Sequence, residues 1–371
     1  MSGARPLVQL PPGVQCFVGD EVRRRRAIEE RVLCVFEGWD YEEIIPPLFD
    51  YADAFAGEAL RPKTYSFVGR DGALLALRPD FTSLLAKLAA GRLAERTTPI
   101  RLYYSGEVLR YEPPKAGRQS ELHQMGLERL GGDARRADVE VLAIAAESLE
   151  AAGARDVILA LGHVGVFGGL LAEGELAAAR VEELRDRVEA KDAAGVRELL
   201  HGSGLPAAIA EALESLTALA GDATILAEAE RRLACCAPAL RALGELRAAT
   251  EALAAAGLGS RLALDLSEVS GLDYYTGLVF RAYAPGLGFE VGGGGRYDAL
   301  LARFGRPLPA VGFMIGLDRL ALLLDRQGAP APPPPRARFV PAEADLAAAL
   351  RSARAERARG GRVRFGNGGA R

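Results

Sequence analysis

The run GLDYYTGLVFRAYAPGLGFEVGGGGRYDALL, Gly271 to Leu301, decides the fold. Its first half turns from polar to apolar and reads as a strand. GFEVGGGG reads as the partner strand of a hairpin, and RYDALLARFG as the helix that follows. Counting by twos sets Asp273, Tyr275, Gly277 and Val279 on one face, and Leu272, Tyr274, Thr276, Leu278 and Phe280 on the other. The first set is small and polar, which suits a ligand; the second suits a core. On this count Tyr275 faces the ligand, and Tyr274 joins it only if a bulge rotates the strand. Gly292 to Gly295 carry no side chains, so a ligand can approach the backbone closely there.

The pattern repeats outward. TYSFVGRDGALLALRPD is a hairpin turning at Asp71-Gly72, and TSLLAKLAAGRLA a helix starting near Thr82. IRLYYSGEVLRYEP and QSELHQMGLERLG are two strands joined by a polar loop over 112–119. A helix from about Asp138 to Ala152 and the strand DVILALGHV follow. PAVGFMIG is a strand, and LDRLALLLDRQ the helix after it. Near the start, Val22, Ile28, Val32, Val35 and Phe36 mark a helix over Asp20 to Glu37, with the arginines 23–26 expected on a solvated face. YEEIIPPLFDY is a short strand halted by Pro46-Pro47. Hairpins with helices between them predict an α+β fold, a mainly antiparallel sheet flanked by helices. The core is expected over 1–325, with an Ala/Leu/Glu/Arg-rich insertion of helices only at about 166–257. A Pro-rich linker at 326–336 and a short βαβ-like C-terminal remnant at 337–371 complete the chain.

Bulk numbers exclude several classes. A net charge of −3 argues against nucleic-acid binding by global charge. No N-terminal apolar run suggests a signal peptide, and no window is apolar enough for a membrane span. Four cysteines and three histidines lack metal-ligand spacing, so no metal and a reducing, cytoplasmic location are expected. Neither GxGxxG after a strand nor a P-loop is present.

Chemistry concentrates in four places. Asp80 and Thr82 stand where a strand opens into a helix; capping alone would explain them, as would contact with a polar ligand. Arg110 and Arg118 flank the loop before Gln124 and Glu128, which share a strand face with Gly126 and face away from His123. Arginine's planar fork suits a phosphate or carboxylate. The tyrosine strand and its glycine partner form the third place. Arg319, in the first turn of a helix, is the fourth and suits an anion.

In this order the four stretches resemble a class II aminoacyl-tRNA synthetase core, specifically histidyl-tRNA synthetase. The likeness is carried by GLDYYTGLVF, GGGGRYDALL and PAVGFMIGLDRL and covers about residues 10–325. It implies a six- or seven-stranded antiparallel sheet and a dimer. It also implies histidine binding at Asp80, Thr82, Arg110, Gln124, Glu128, Tyr274 and Tyr275, with Arg110, Arg118 and Arg319 toward nucleotide or other anions. Three departures stand out. A synthetase carries an arginine directly before Gly-Leu-Asp-Tyr-Tyr, where this chain has Ser270. Losing a preorganised donor of that kind commonly costs ~10²–10³ in rate. Arg78-Pro79-Asp80-Phe81-Thr82 replaces Arg-Pro-Glu-Gly-Thr, putting a bulky ring near the site, and no full anticodon-binding domain follows.

The departures resemble the regulatory-subunit family of the short-form ATP phosphoribosyltransferase, the first enzyme of histidine biosynthesis. That resemblance implies no catalytic residues, no cofactor, and L-histidine as effector. It further implies the short-form catalytic subunit as partner, a homodimer within a hetero-oligomer, no tRNA and no membrane. The residues then suit histidine as follows: Asp80 and Glu128 for the ammonium, Arg110 for the carboxylate, a tyrosine for the ring. The alternative is a truncated ligase that still forms an aminoacyl-adenylate.

Overall fold

The computed structural model describes residues 9–55, 61–111, 119–269, 274–341 and 345–366; Arg118, Ser270 and Asp273 lie outside them. The chain divides into two compact units, one of residues 1–16 with 27–329, the other of 17–26 with 330–371.

Helix α1 (Asp20–Gly38) buries Ile28, Val32, Val35 and Phe36, one stripe at helical spacing. Strand β1 (Glu42–Glu43) stops before the prolines. β2 (Phe49–Tyr51), β3 (Ser66–Val68) and β4 (Leu74–Leu77) make a small sheet in the order β2-β4-β3. Its Asp71-Gly72 turn needs glycine, because Gly72 has φ +84°. Helix α2 (Thr82–Ala90) leads to β5 (Ile100–Leu109) and β6 (Glu121–Leu130), which pair antiparallel over their full length. Helix α3 (Ala134–Ala151) is capped by Asp133, whose side chain accepts from Arg136 N at 2.9 Å.

β7 (Ile158–His163) precedes the insertion, which holds α4 (Val164–Leu171), α5 (Ala178–Glu189), α6 (Ala193–Leu200), α7 (Ala207–Ser215), β8 (Ala220–Gly221), α8 (Ile225–Arg232) and α9 (Ala237–Ala255). The expectation of helices only is thus corrected by β8, whose two residues are too few to show alternation. Then come β9 (Leu262–Asp265), β10 (Leu278–Tyr283), β11 (Gly292–Arg296), α10 (Asp298–Ala302), β12 (Ala310–Gly316) and α11 (Leu317–Arg326).

The main sheet has nine strands in the order β1-β5-β6-β12-β11-β10-β7-β9-β8. It is antiparallel except for β1–β5 and β7–β9. The expected six or seven strands are therefore extended at both edges by short segments, two of which run parallel. One face packs on α1, α3 and the insertion helices through Phe36, Tyr103, Leu127, Phe280 and Phe313. The other carries a second cluster that includes Phe81, Tyr104 and Tyr297, with Tyr274 and Tyr275 packed against it. The alternation of β5 thus sends Tyr103 one way and Tyr104 the other. The functional cavity lies on the second face. Among the described residues no helix is long and apolar enough to cross a membrane.

The second unit pairs β13 (Arg338–Pro341) parallel with β14 (Val363–Gly366) across helix α12 (Leu346–Ala358). Asp345 caps that helix, accepting from Ala347 N and Ala348 N at 2.9 and 3.0 Å. Its own apolar cluster is only Val340, Ala349 and Ala353 with Val363 beside them. Within this unit Arg23 donates from Nε to Pro332 O at 3.1 Å, and Arg25 lies 4.1 Å over the Phe17 ring. The arginine run is therefore not simply a solvated face: Arg23 to Arg25 are half-buried, as their apolar stems allow.

Candidate functional site

A cavity of about 500 Å³ opens on the second sheet face. Of the sequence candidates, Asp80, Thr82, Arg110, Gln124, Glu128, Tyr274 and Tyr275 all line it. They come from the start of α2, the end of β5, the middle of β6 and the approach to β10.

Glu128 sits at the closed end, 1% exposed. Thr82 Oγ1 lies 2.7 Å from its Oε1, and the Tyr297 hydroxyl bonds its Oε2. Gly312, opposite it on β12, makes this possible. A Cβ on Gly312 would stand 1.6 Å from Glu128 Oε2, so no other residue leaves room for the carboxyl. Burial pushes the Glu128 carboxyl up to about 8, against hydrogen bonds from Tyr297, Thr82 and Tyr104 that favour the charged form; the Asp80 charge adds to the rise. Without a ligand Glu128 is therefore mostly neutral at pH 7. A cation placed against it would favour loss of that proton, so the pairing with an ammonium read from the sequence is compatible with this pKa. A neutral carboxyl walled by tyrosines also suits an imidazole nitrogen.

Asp80 is half-buried at the start of α2. Its Oδ1 accepts from Ser83 N at 2.7 Å, and its Oδ2 from the Ser83 hydroxyl at 3.1 Å, so it caps α2. It also lines the cavity, so the capping and ligand readings hold together. Burial raises its pKa, while the Ser83 hydrogen bonds and nearby Arg110 oppose the rise. Arg110 Nε donates to Pro79 O at 2.7 Å, which ties β5 to the strand-to-helix turn that places Asp80. Phe81, expected as a bulky ring near the site, is buried directly behind the lining residue Tyr104. It stacks on Tyr104 at 4.1 Å and under the Arg78 guanidinium at 4.2 Å.

The tyrosine pair departs most from the strand count. β10 begins only at Leu278, so Tyr274 and Tyr275 precede the ladder and do not alternate. Both enter the cavity. Tyr274 stacks on Tyr297 at 5.4 Å and meets Tyr275 edge-on at 5.0 Å. Gly295 permits this, since a Cβ there would reach 3.0 Å from the Tyr275 ring and 2.6 Å from Leu278 O. Burial raises the phenols of Tyr274, Tyr275 and Tyr297 above their usual value, so they remain protonated donors. Within β10 the count does hold: Val279 lines the cavity, and Leu278 joins the core.

Gly293 and Gly294 line the cavity, in keeping with a close approach to backbone. His123 faces away, within 2.8 Å of Ser105 Oγ and 3.4 Å of Glu29. Arg319 does not line the cavity. Its Nη1 donates to the Glu290 carboxylate at 2.5 Å and to Glu290 O at 2.9 Å, so the expected anion site at the start of α11 already holds a carboxylate. Burial acts to raise Glu290, but the Arg319 guanidinium keeps it below the usual range. Ser270 and Arg118 fall outside the described residues.

Among the lining residues that escaped the sequence reading are Tyr104, Tyr297, Glu268, Arg281, Glu290 and Arg303. Arg281 had a signal, a lone charge inside the apolar run LVFRAY, and Glu290 a similar one in GFEV. Tyr104 and Tyr297 had none, since aromatic residues in a strand or before a helix are ordinary core. Among the described residues no cluster of three acidic, histidine or cysteine side chains could hold a metal ion.

The family model described as histidyl-tRNA synthetase matches residues 13–320. An ATP phosphoribosyltransferase regulatory subunit from Moorella thermoacetica is 41% identical over 97% of this chain and 92% of its own length. One from Geobacter sulfurreducens is 37% identical over 86% of this chain and 73% of its own. Among solved structures, an ATP phosphoribosyltransferase regulatory subunit/histidyl-tRNA synthetase from Bacillus halodurans superposes with a TM-score of 0.87 at 28% identity, covering 98% of this chain and 94% of that one. A histidyl-tRNA synthetase from a Nostoc species shares the fold, with a TM-score of 0.80 at 22% identity over 99% and 87%.

Proposed function

The chain belongs to the family of ATP phosphoribosyltransferase regulatory subunits, built on a histidyl-tRNA synthetase core, and from that premise we propose that it is a non-catalytic histidine sensor required by a short catalytic subunit. It acts in the cytoplasm, takes no tRNA and imposes feedback inhibition on the first step of histidine biosynthesis.

One observation carries the reading. A cavity sized for a small molecule gathers all seven sequence candidates for histidine binding, while Arg319, a candidate for nucleotide or other anions, is matched by Glu290 instead. The chemistry fits L-histidine. Asp80 suits the ammonium, and Arg110 the carboxylate. Neutral Glu128 and the phenols of Tyr274, Tyr275 and Tyr297 suit the imidazole. Ser270 brings no cation where the synthetase has its arginine, which disfavours the ligase reading.

Feedback requires that histidine bind one state of the complex more tightly than another. A coupling of about 1–3 kcal/mol is ordinary. The test is to mix the chain with a short-form catalytic subunit. Co-purification, activity only in the mixture, and inhibition by millimolar histidine are expected. Calorimetry on this subunit should show histidine binding that weakens in Arg110→Ala. Absence of both heat and inhibition would sink the proposal; histidine-dependent pyrophosphate exchange by the chain alone would establish the ligase instead.

A further inference from the structure

Arg281 is a cation that the proposed ligand roles leave unused. It stands mid-strand on β10, facing Gly293 on β11, and both residues line the cavity. Its Nη2 lies 2.9 Å from Glu268 Oε1 and 3.2 Å from Glu189 Oε1. These two carboxylates differ in kind. Glu268 is largely shielded, its side chain 10% exposed, and lines the cavity. Glu189 is 31% exposed and is the last residue of α5 in the helical insertion. Arg281 and Arg110 both line the cavity, and the charges of both act on the Tyr275 phenol.

The end of α5 is held lightly. The helix buries only Leu184 and Val188. Just beyond it Lys191, at φ +56°, donates to Asp265 Oδ2 at 2.8 Å. Asp265 in turn accepts from Ser267 N at 3.0 Å, in the same segment as Glu268. Two ion pairs thus tie the end of α5 to the main sheet, one to Asp265 at the end of β9 and one to Arg281 on β10, and only the Arg281 pair reaches the cavity.

We infer that Arg281 is a second receptor for the ligand's carboxylate, and that recruiting it to the ligand draws it away from Glu189 and loosens the end of α5. A carboxylate entering the cavity competes with Glu189 and Glu268 for one guanidinium. The longer, more exposed Glu189 contact yields first, because solvent compensates its carboxylate while the shielded Glu268 has no such exchange. Occupancy of the cavity thereby becomes a change on the helical insertion. The inference rests on the effector reading above and adds the residue that transmits it.

The test is hydrogen exchange on the full chain, with L-histidine and with histamine, which has the ring and ammonium but no carboxylate. Histidine should speed amide exchange at the end of α5; histamine should bind and leave it unchanged. Glu189→Gln, an exposed and mild substitution, should exchange fast without ligand and bind histidine about two- to fivefold tighter, the competitor for Arg281 being weakened. Its affinity for histamine should match the parent's. Histidine that binds without altering α5, or a Glu189→Gln affinity equal to the parent's, would overturn the inference and leave the effector reading standing. A chain that binds no histidine overturns both.

Discussion

Glu128 shows how much one side chain owes to its surroundings. Its carboxyl is neutral near pH 7 because Gly312 lets it lie under the sheet, where burial outweighs three hydroxyl contacts. The linkage sign follows. Unfolded Glu128 ionises near the usual 4.5, the folded group near 8. Between those values the folded state keeps a proton that the unfolded state has released, so this group's contribution to stability falls as pH rises. Glu128→Gln, which keeps the shape and removes the ionisation, should lessen that fall. The parent's stability relative to the variant should drop by a few kcal/mol, to order of magnitude, between about pH 5 and pH 8. Urea unfolding midpoints at three pH values measure it, and parallel curves for the two proteins would contradict the assignment. Neither the carboxyl's neutrality nor the glycine that permits it is legible in sequence, since Thr82 and Tyr297 lie 46 and 169 residues from Glu128.

At the scale of elements, local signals located most of the strands and helices and mistook one start. The hairpin at Asp71-Gly72, the ten-residue β5–β6 pair and the β10–β11 pair follow from alternation and turn residues. The start of β10 does not. Period-two counting carries back from LVFRAY through Tyr275 and Tyr274, but strand pairing begins at Leu278, and ahead of it Thr276 N donates to Arg296 O at 2.7 Å. Alternation describes a side chain's face only inside the ladder, so both tyrosines were free to turn one way. The start of α2 joins structure to ligand, and charge separates the two. Asp80→Asn keeps an acceptor for Ser83 N and should leave stability within about 1 kcal/mol. It removes the ligand-facing charge and should weaken histidine binding by at least about tenfold. Calorimetry beside thermal denaturation distinguishes them; a large stability loss with unchanged affinity would make Asp80 a cap only.

At the scale of the molecule, the small β2-β4-β3 sheet and the loop before it expose Ile45, Phe49, Phe67, Val68 and Leu74, with Ile45 84% and Val68 70% exposed. Phe49 and Phe67 meet edge-on at 5.9 Å, so this is a connected patch rather than scattered residues. The homodimer that the family resemblance implies would bury such a patch. Light scattering should give twice the 39.3 kDa of one chain, and Val68→Glu should raise the dimer dissociation constant at least about tenfold. A monomeric parent would remove the patch from the interface.

The sequence by itself determined the α+β class, most of the strands, the helical character of the insertion and some of the residues that gather at the cavity, such as Asp80, Thr82, Gln124 and Glu128. Those features rest on periodicity, turn chemistry and local order, which act over a few residues. Tertiary structure alone decided which faces the tyrosines take, that Glu128 is neutral, that Arg319 is already matched by Glu290, and that Arg281 joins the cavity to α5. Each depends on burial or on charges far apart in the chain, 92 residues for Arg281 and Glu189. The cost of an unpaired charge, and hence its partner and its pKa, is set only when folding removes water from around it.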